Sequence, residues 1–184
     1  EVLRLLVVCT ANQCRSPMGE VIARAMLDER GIPSRVTSAG THALDGTKAT
    51  DGAEMTARRL GLDLSAHQSR PVTAELVADA DLVVAMERRH VVDLVIEYSA
   101  PFVSVYTLPE LAQLAAPSLR QAEEGLADWL VRISHDRDPA SSLRAPEIAD
   151  PIGRSMRRYR KAGRQISDAF ATLFDAYEGG RQDR

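Results

Sequence analysis

Short apolar runs alternating with helical patterns organise this chain. Leu3–Val8, Arg35–Ser38, Asp81–Met86 and Phe102–Tyr106 are brief, carry β-branched residues and are bounded by turn residues, which predicts four strands. Between them, Ser16 is placed to cap a helix whose first position is Pro17 and which ends before Gly31. Further helices are predicted over Gly52 to Leu60, stopped by Gly61, and over Glu87 to Glu97. Strand alternating with helix is the pattern of an α/β fold built on a parallel sheet.

From Pro109 the pattern turns wholly helical. Leu111 and Leu114, then Leu119, Leu126, Trp129, Leu130 and Ile133, make apolar faces interrupted at Pro117. Residues 134–149 are polar and contain proline, and read as a loop. The last helix is the clearest in the chain. Met156, Tyr159, Gly163, Ile166, Phe170, Leu173 and Tyr177 form one stripe at spacings of three and four, expected to pack on the sheet. The pattern is that of one domain over 1–184, with an extended helical and loop segment at about 110–149.

Composition narrows this picture only slightly. At 184 residues the chain can bury a real core, and no apolar run is long enough for a helical membrane span. It starts at Glu1 rather than Met, which reads as a trimmed start, and no signal peptide is visible. The net charge of −3 selects no partner. Of 23 basic residues only Lys48 and Lys161 are lysines, a bias expected of a GC-rich bacterial source. Two cysteines five positions apart make no disulfide framework and point to a reducing, cytoplasmic setting. His42, His67, His90 and His135 fall at no metal-ligand spacing, so no metal and no cofactor is expected.

The candidate chemistry sits where the first strand should end. Cys9-Thr10-Ala11-Asn12-Gln13-Cys14-Arg15-Ser16 places a cysteine six residues before an arginine, between a strand and a helix. That spacing arises by chance in roughly one such chain in four, so its weight comes from its context. A loop leaving a strand into a helix N-terminus directs N–H groups and the positive dipole end at one space, which suits an oxyanion and a thiolate. The bland alternative is a buried core cysteine at a strand end. With Arg15 and Ser16 at the same terminus, the reactive reading is preferred. A thiolate at a helix N-terminus is nucleophilic, and the Arg15 fork matches two phosphate oxygens. Ser16 is placed to donate to the sulfur. The combination suggests a cysteine-dependent phosphatase.

The segment Val8 to Pro17 resembles the phosphate loop of the low-molecular-weight protein tyrosine phosphatases. The resemblance continues through Ser38-Ala39-Gly40-Thr41, Gly61-Leu62-Asp63, His67-Gln68-Ser69-Arg70, Ala80-Asp81-Leu82-Val83 and Met86-Glu87, to Ile148-Ala149-Asp150-Pro151. It implies a three-layer αβα fold, with a four-stranded parallel sheet and the phosphate-binding loop between first strand and first helix. It implies Cys9 as nucleophile, Arg15 as phosphate clamp and Asp150 as general acid. Thr10, Ala11, Asn12, Gln13, Cys14 and Ser16 would line the phosphate, with Ser38 and His67 holding a strained Asn12.

Three positions depart from the family pattern. Ala11 replaces a usual glycine and would resist a positive φ. Gln13 stands where tyrosine-specific members are usually apolar. Ile152-Gly153 follow Asp150-Pro151 where aromatics are frequent. These departures bear on substrate preference. Phosphorylated protein is the expected partner, with no role for nucleic acid, since the net charge is negative and a single tyrosine, Tyr159, among the arginines of residues 154–164 makes no stacking platform. They read as a solvated helix face, part of which would steer acidic substrates.

A second Asp-Pro pair, Asp138-Pro139, lies in the polar loop and reads as a turn, so Asp150 is preferred as the acid. Cys14 reads either as a resolving partner for Cys9 or as a small packed side chain. The leading function is hydrolysis of phosphotyrosine through a phosphocysteine. A protein-arginine phosphatase, an arsenate reductase-like enzyme on the same scaffold and a phosphate-binding module without turnover are the alternatives. A thioredoxin-coupled arsenate reductase would need cysteines after Cys14, and there are none.

Overall fold

The structure, a computed structural model, describes residues 2–179, so Glu1 and residues 180–184 of the expected domain lie outside the described residues. Four parallel strands, β1 (Leu3–Cys9), β2 (Ser34–Gly40), β3 (Leu82–Ala85) and β4 (Val105–Thr107), form one sheet in the order β2-β1-β3-β4. β1 is central, and its alternation divides the core. Leu3, Leu5, Val7 and Cys9 face one layer of helices, while Leu6 and Val8 face the other with Val83, Ala85, Val91 and Leu94. Burying each such aliphatic side chain contributes about 1.5–3 kcal/mol, which explains why β1 is apolar on both faces.

On the Cys9 side lie α1 (Arg15–Glu29), α2 (Asp51–Arg59), α5 (Leu108–Ala115), α6 (Leu126–Ile133) and α8 (Met156–Glu178). On the opposite side lie α3 (Ala74–Ala78) and α4 (Arg88–Ile96). A side-chain carbon added at Gly19 would come within 2.9 Å of Val7 Cγ1, so glycine there lets α1 lie against β1.

Several local expectations are corrected. Ser16 does not cap α1; the helix begins at Arg15, and Cys14 takes the cap position without a side-chain bond. The Ser16 hydroxyl is occupied instead by Cys9 and Ala39. The apolar stripe of α8 packs beside α1 and α5 and shares one buried cluster with Leu5, Val7 and Val84 of the sheet. Residues 134–149 contain a short helix, α7 (Pro139–Ser142), capped reciprocally by Asp138 and Ser141. Leu119 is exposed, outside the buried face of Trp129, Leu130 and Ile133.

The segment beyond β4 is tied down by Arg137, whose side chain is 2% exposed. Its Nε donates to Glu110 Oε1 at 2.8 Å and its Nη2 to Oε2 at 3.1 Å. Its remaining donors reach the Phe102 carbonyl at 2.6 Å and the Val105 carbonyl at 2.7 Å. The guanidinium lies 4.0 Å from the Phe102 ring centroid and 4.1 Å from that of Tyr106. Glu110 also closes the capping box that starts α5.

Candidate active site

The loop from Cys9 to Arg15 bridges the C-terminal end of β1 and the N-terminus of α1, at the edge where open α/β sheets bind ligands. Its carbonyl groups are engaged by the neighbouring chain. Thr41, His42 and Thr50 donate backbone N–H groups to the carbonyls of Cys9 (3.0 Å), Thr10 (2.9 Å) and Gln13 (2.8 Å). The loop lies so close to the end of β2 that a Cβ at Gly40 would sit 2.4 Å from the Thr10 carbonyl oxygen and 2.8 Å from Asn12 N. Only glycine fits there.

The strained residue is Asn12, at φ 53°, and it is fully buried. Its Nδ2 donates to Ser38 Oγ and to Ser16 Oγ, both at 2.9 Å, and its Oδ1 accepts from the Arg70 backbone N–H at 2.9 Å. His67 Nε2 donates to its carbonyl oxygen at 2.7 Å. Four hydrogen bonds thus hold a conformation that costs a non-glycine residue about 1 kcal/mol or more. Ala11 is not among the residues with positive φ, so the expected conflict at that position does not arise. The left-handed turn belongs to its neighbour, whose amide side chain compensates it.

Cys9 is 3% exposed, and its sulfur lies 3.0 Å from Ser16 Oγ. Because Ser16 Oγ already accepts from Asn12, its own proton is free for the sulfur or for the Ala39 carbonyl at 3.3 Å. Cys14 is buried as well, and both cysteines are free thiols. Burial pushes the Cys14 thiol far above the ordinary range, and the nearby Cys9 and Asp150 push the same way. It is a protonated thiol at neutral pH.

Arg15 is 1% exposed. Nη1 donates to the Ile148 carbonyl at 2.8 Å and to Glu87 Oε1, and Nη2 pairs with Asp150 Oδ2 at 3.0 Å. Nε has no partner. A buried guanidinium N–H without an acceptor is costly, so an acceptor is expected to arrive from outside. Glu87 is held below its ordinary pKa despite burial, which works the other way, because Arg15 and then Arg89 stabilise its charge. Asp150 stands at the opening with its side chain 35% exposed, and Oδ1 accepts from Ile152 N–H at 3.1 Å. The chain before it is fixed by Ile148 N–H donating to the Met86 carbonyl at 2.9 Å. Asp138, by contrast, accepts from Ser141 N–H at 2.6 Å in the cap of α7.

Two residues with no role in the sequence reading join this group. His90 is fully buried; its Nδ1 accepts from Glu87 N–H at 3.2 Å, so Nε2 carries the proton and donates to Thr10 Oγ1 at 2.9 Å. Arg89 Nη2 donates to the same oxygen at 2.9 Å. With two donors upon it, the Thr10 hydroxyl has its own proton left to offer. Burial lowers the His90 pKa to about 4, and Arg15 and Arg89 add to the effect. The sequence signal was Met86-Glu87 at the end of a buried strand, followed by a histidine three residues on, at helical spacing.

Known proteins resemble this chain in sequence and in fold. A family model described as "Low molecular weight phosphotyrosine protein phosphatase" matches residues 4–115. A probable low molecular weight protein-tyrosine-phosphatase, AmsI of Erwinia amylovora, is 41% identical over 91 residues, covering 50% of this chain and 60% of the relative. The match thus spans less than two thirds of that relative's length. A protein-arginine-phosphatase of Bacillus subtilis is 36% identical over 106 residues, covering 58% of this chain and 70% of the relative. The crystal structure of a low molecular weight protein tyrosine phosphatase from T. tengcongensis superposes with a TM-score of 0.75 at 28% identity, over 95% of this chain and 99% of that one.

Proposed function

This chain belongs to the low molecular weight phosphotyrosine protein phosphatase family, and we propose that it hydrolyses phosphotyrosine or a similar aryl phosphate through a phosphocysteine. The observation that carries this reading is Arg15: a buried guanidinium with an unpartnered Nε, beside a loop that starts at a buried cysteine. Glu87 and the Ile148 carbonyl hold Nη1, so that Nε, and Nη2 once phosphate takes the place of Asp150 on it, meet two phosphate oxygens. Loop N–H groups and the uncapped start of α1 complete the oxyanion cradle.

In the first step the Cys9 sulfur attacks phosphorus, the bond to the leaving oxygen breaks, and protonated Asp150 gives that oxygen its proton. In the second, Asp150 takes a proton from water, the water oxygen attacks phosphorus, and the sulfur–phosphorus bond breaks to release phosphate. Ser16, donating to the sulfur, eases its departure. Thr10, Ala11, Asn12, Gln13 and Cys14 shape the cradle, with Ser38 and His67 fixing Asn12. The partner is a phosphorylated protein, and the setting is the reducing cytoplasm.

A second reading, hydrolysis of phosphoarginine, is favoured by the half-buried Gln13 and by the Bacillus relative's name. The phosphate-binding module without turnover rested on strain at Ala11, and that strain is absent. Assay with an aryl phosphate is decisive. Cys9→Ser should abolish turnover. Asp150→Asn should slow substrates with poor leaving groups by about 10²–10⁴-fold, while Asp138→Asn changes little. Activity surviving in Cys9→Ser overturns the reading, and equal effects at the two aspartates remove Asp150 as the acid. Phosphotyrosine and phosphoarginine peptides then separate the two hydrolases.

A further inference from the structure

The basic run at the start of α8 differs from most of the arginines paired elsewhere on the surface. Arg4 is bound by Asp79 and Asp81, Arg30 by Asp175 and Glu178, and Arg132 by Glu124. Among the described residues, Arg154, Arg158 and Lys161 make no ion pair and no side-chain hydrogen bond, and all three are exposed. They line a cleft of about 410 Å³ whose other wall includes Glu147 and Asp150.

Both of those carboxylates are already engaged. Glu147 pairs with Arg88 at 2.8 Å, and Asp150 with Arg15 at 3.0 Å. The field in the cleft is therefore set by the three free cations. The helix end reinforces it. The first turn of α8 holds no acidic residue, and Ser155 makes no capping bond with its side chain.

Arg158 and Lys161, three residues apart, lie on one face of α8, and Arg154, just before the helix, lines the same cleft. Because Asp150 belongs to both the cleft and the active site, a chain bound here runs directly into the catalytic opening.

We infer that this cleft is a second binding site, which holds an acidic segment of the protein substrate within a few residues of its phosphorylated side chain. The site rests on the proposed hydrolase activity and adds a sequence preference to it. A small aryl phosphate ends before reaching the cleft, whereas a phosphopeptide with three aspartates or glutamates beside the phosphorylated residue extends into it.

The test compares phosphopeptides with acidic runs before or after the phosphorylated residue against neutral ones, with a small aryl phosphate as reference. One acidic series should show kcat/KM about tenfold above the neutral peptide, through KM, with the advantage fading as salt is raised. Arg158→Gln combined with Lys161→Gln should erase that advantage while the aryl phosphate is turned over as before. Both side chains are exposed, so an unchanged melting temperature verifies folding. Equal kcat/KM for all peptides, or an acidic preference that survives in the double variant, overturns the site. Tight binding of an oligonucleotide without any peptide preference overturns it in favour of nucleic acid. Absence of aryl phosphate turnover in the wild type sinks the hydrolase reading instead, so the two failures are distinguishable.

Discussion

Arg15 and Arg137 are both arginines buried to within 2% of full, yet their surroundings differ in kind. Every nitrogen of Arg137 is engaged: Glu110 takes two of its donors, two backbone carbonyls take others, and aromatic rings lie within about 4.1 Å. Arg15 is held at one edge by Glu87 and Ile148, while Nε is left open. A guanidinium with every nitrogen engaged fastens one part of a fold to another. One with donors to spare is ready for a ligand.

That contrast predicts opposite outcomes from similar changes. Arg137→Ala strands Glu110 as a buried carboxylate and should cost about 3–5 kcal/mol of stability, measured by urea unfolding, with kcat/KM retained in the protein that remains folded. A loss below about 1 kcal/mol would mean that Arg137 fastens nothing. Arg15→Lys keeps the charge and removes the fork, so kcat/KM on an aryl phosphate should fall about 10²–10³-fold, roughly 3–4 kcal/mol of transition-state stabilisation. If lysine serves equally well, the two-oxygen clamp is wrong.

The smallest effect concerns His90, which supports Thr10 from behind. Glu87 and Glu147 face it as well as Arg15 and Arg89, and burial with the two arginines outweighs the carboxylates. A histidine whose folded pKa is about 4, against about 6.5 unfolded, binds its proton more readily in the unfolded chain. Its share of stability is therefore complete above pH 6.5 and is lost as pH falls toward 4. Between pH 7 and pH 5 the loss is about 2 kcal/mol. His90→Gln should remove that slope from the unfolding free energy, and an unchanged slope would show that the imidazole titrates normally.

The layout of the sheet was legible because β1 and β3 are short, apolar and buried on both faces, and nothing else in the sequence competes for those positions. The loop between β1 and α1 was legible because its residue types are uncommon together. What escaped was geometry decided at a distance. Alanine at position 11 predicted strain, but backbone curvature is shared along a loop, and Asn12 took the left-handed turn because Ser38, His67 and Arg70 were there to receive its polar atoms. Arg137 looked like one more polar residue in a loop. Its partner lies 27 positions away on α5, and no local pattern connects them. The five-residue α3 carries only Val77 as a buried side chain, too little periodicity to register, although Thr73 is an ordinary cap.

The segment leading to Asp150 is fastened at every step: Thr107 Oγ1 donates to the Pro146 carbonyl at 2.7 Å, Arg88 binds Glu147, and Ile148 bonds both the Met86 carbonyl and Arg15. Arg15 opens the helix that follows the phosphate loop, while Met86 directly follows β3, Arg88 opens α4 and Thr107 ends β4, all built on the sheet that carries the loop. Acid and nucleophile therefore ride on one rigid frame, and no hinge stands between them. Turnover on such a frame is set by bond making and breaking rather than by the opening of a gate, so thickening the solvent with an inert sugar should leave its pace untouched.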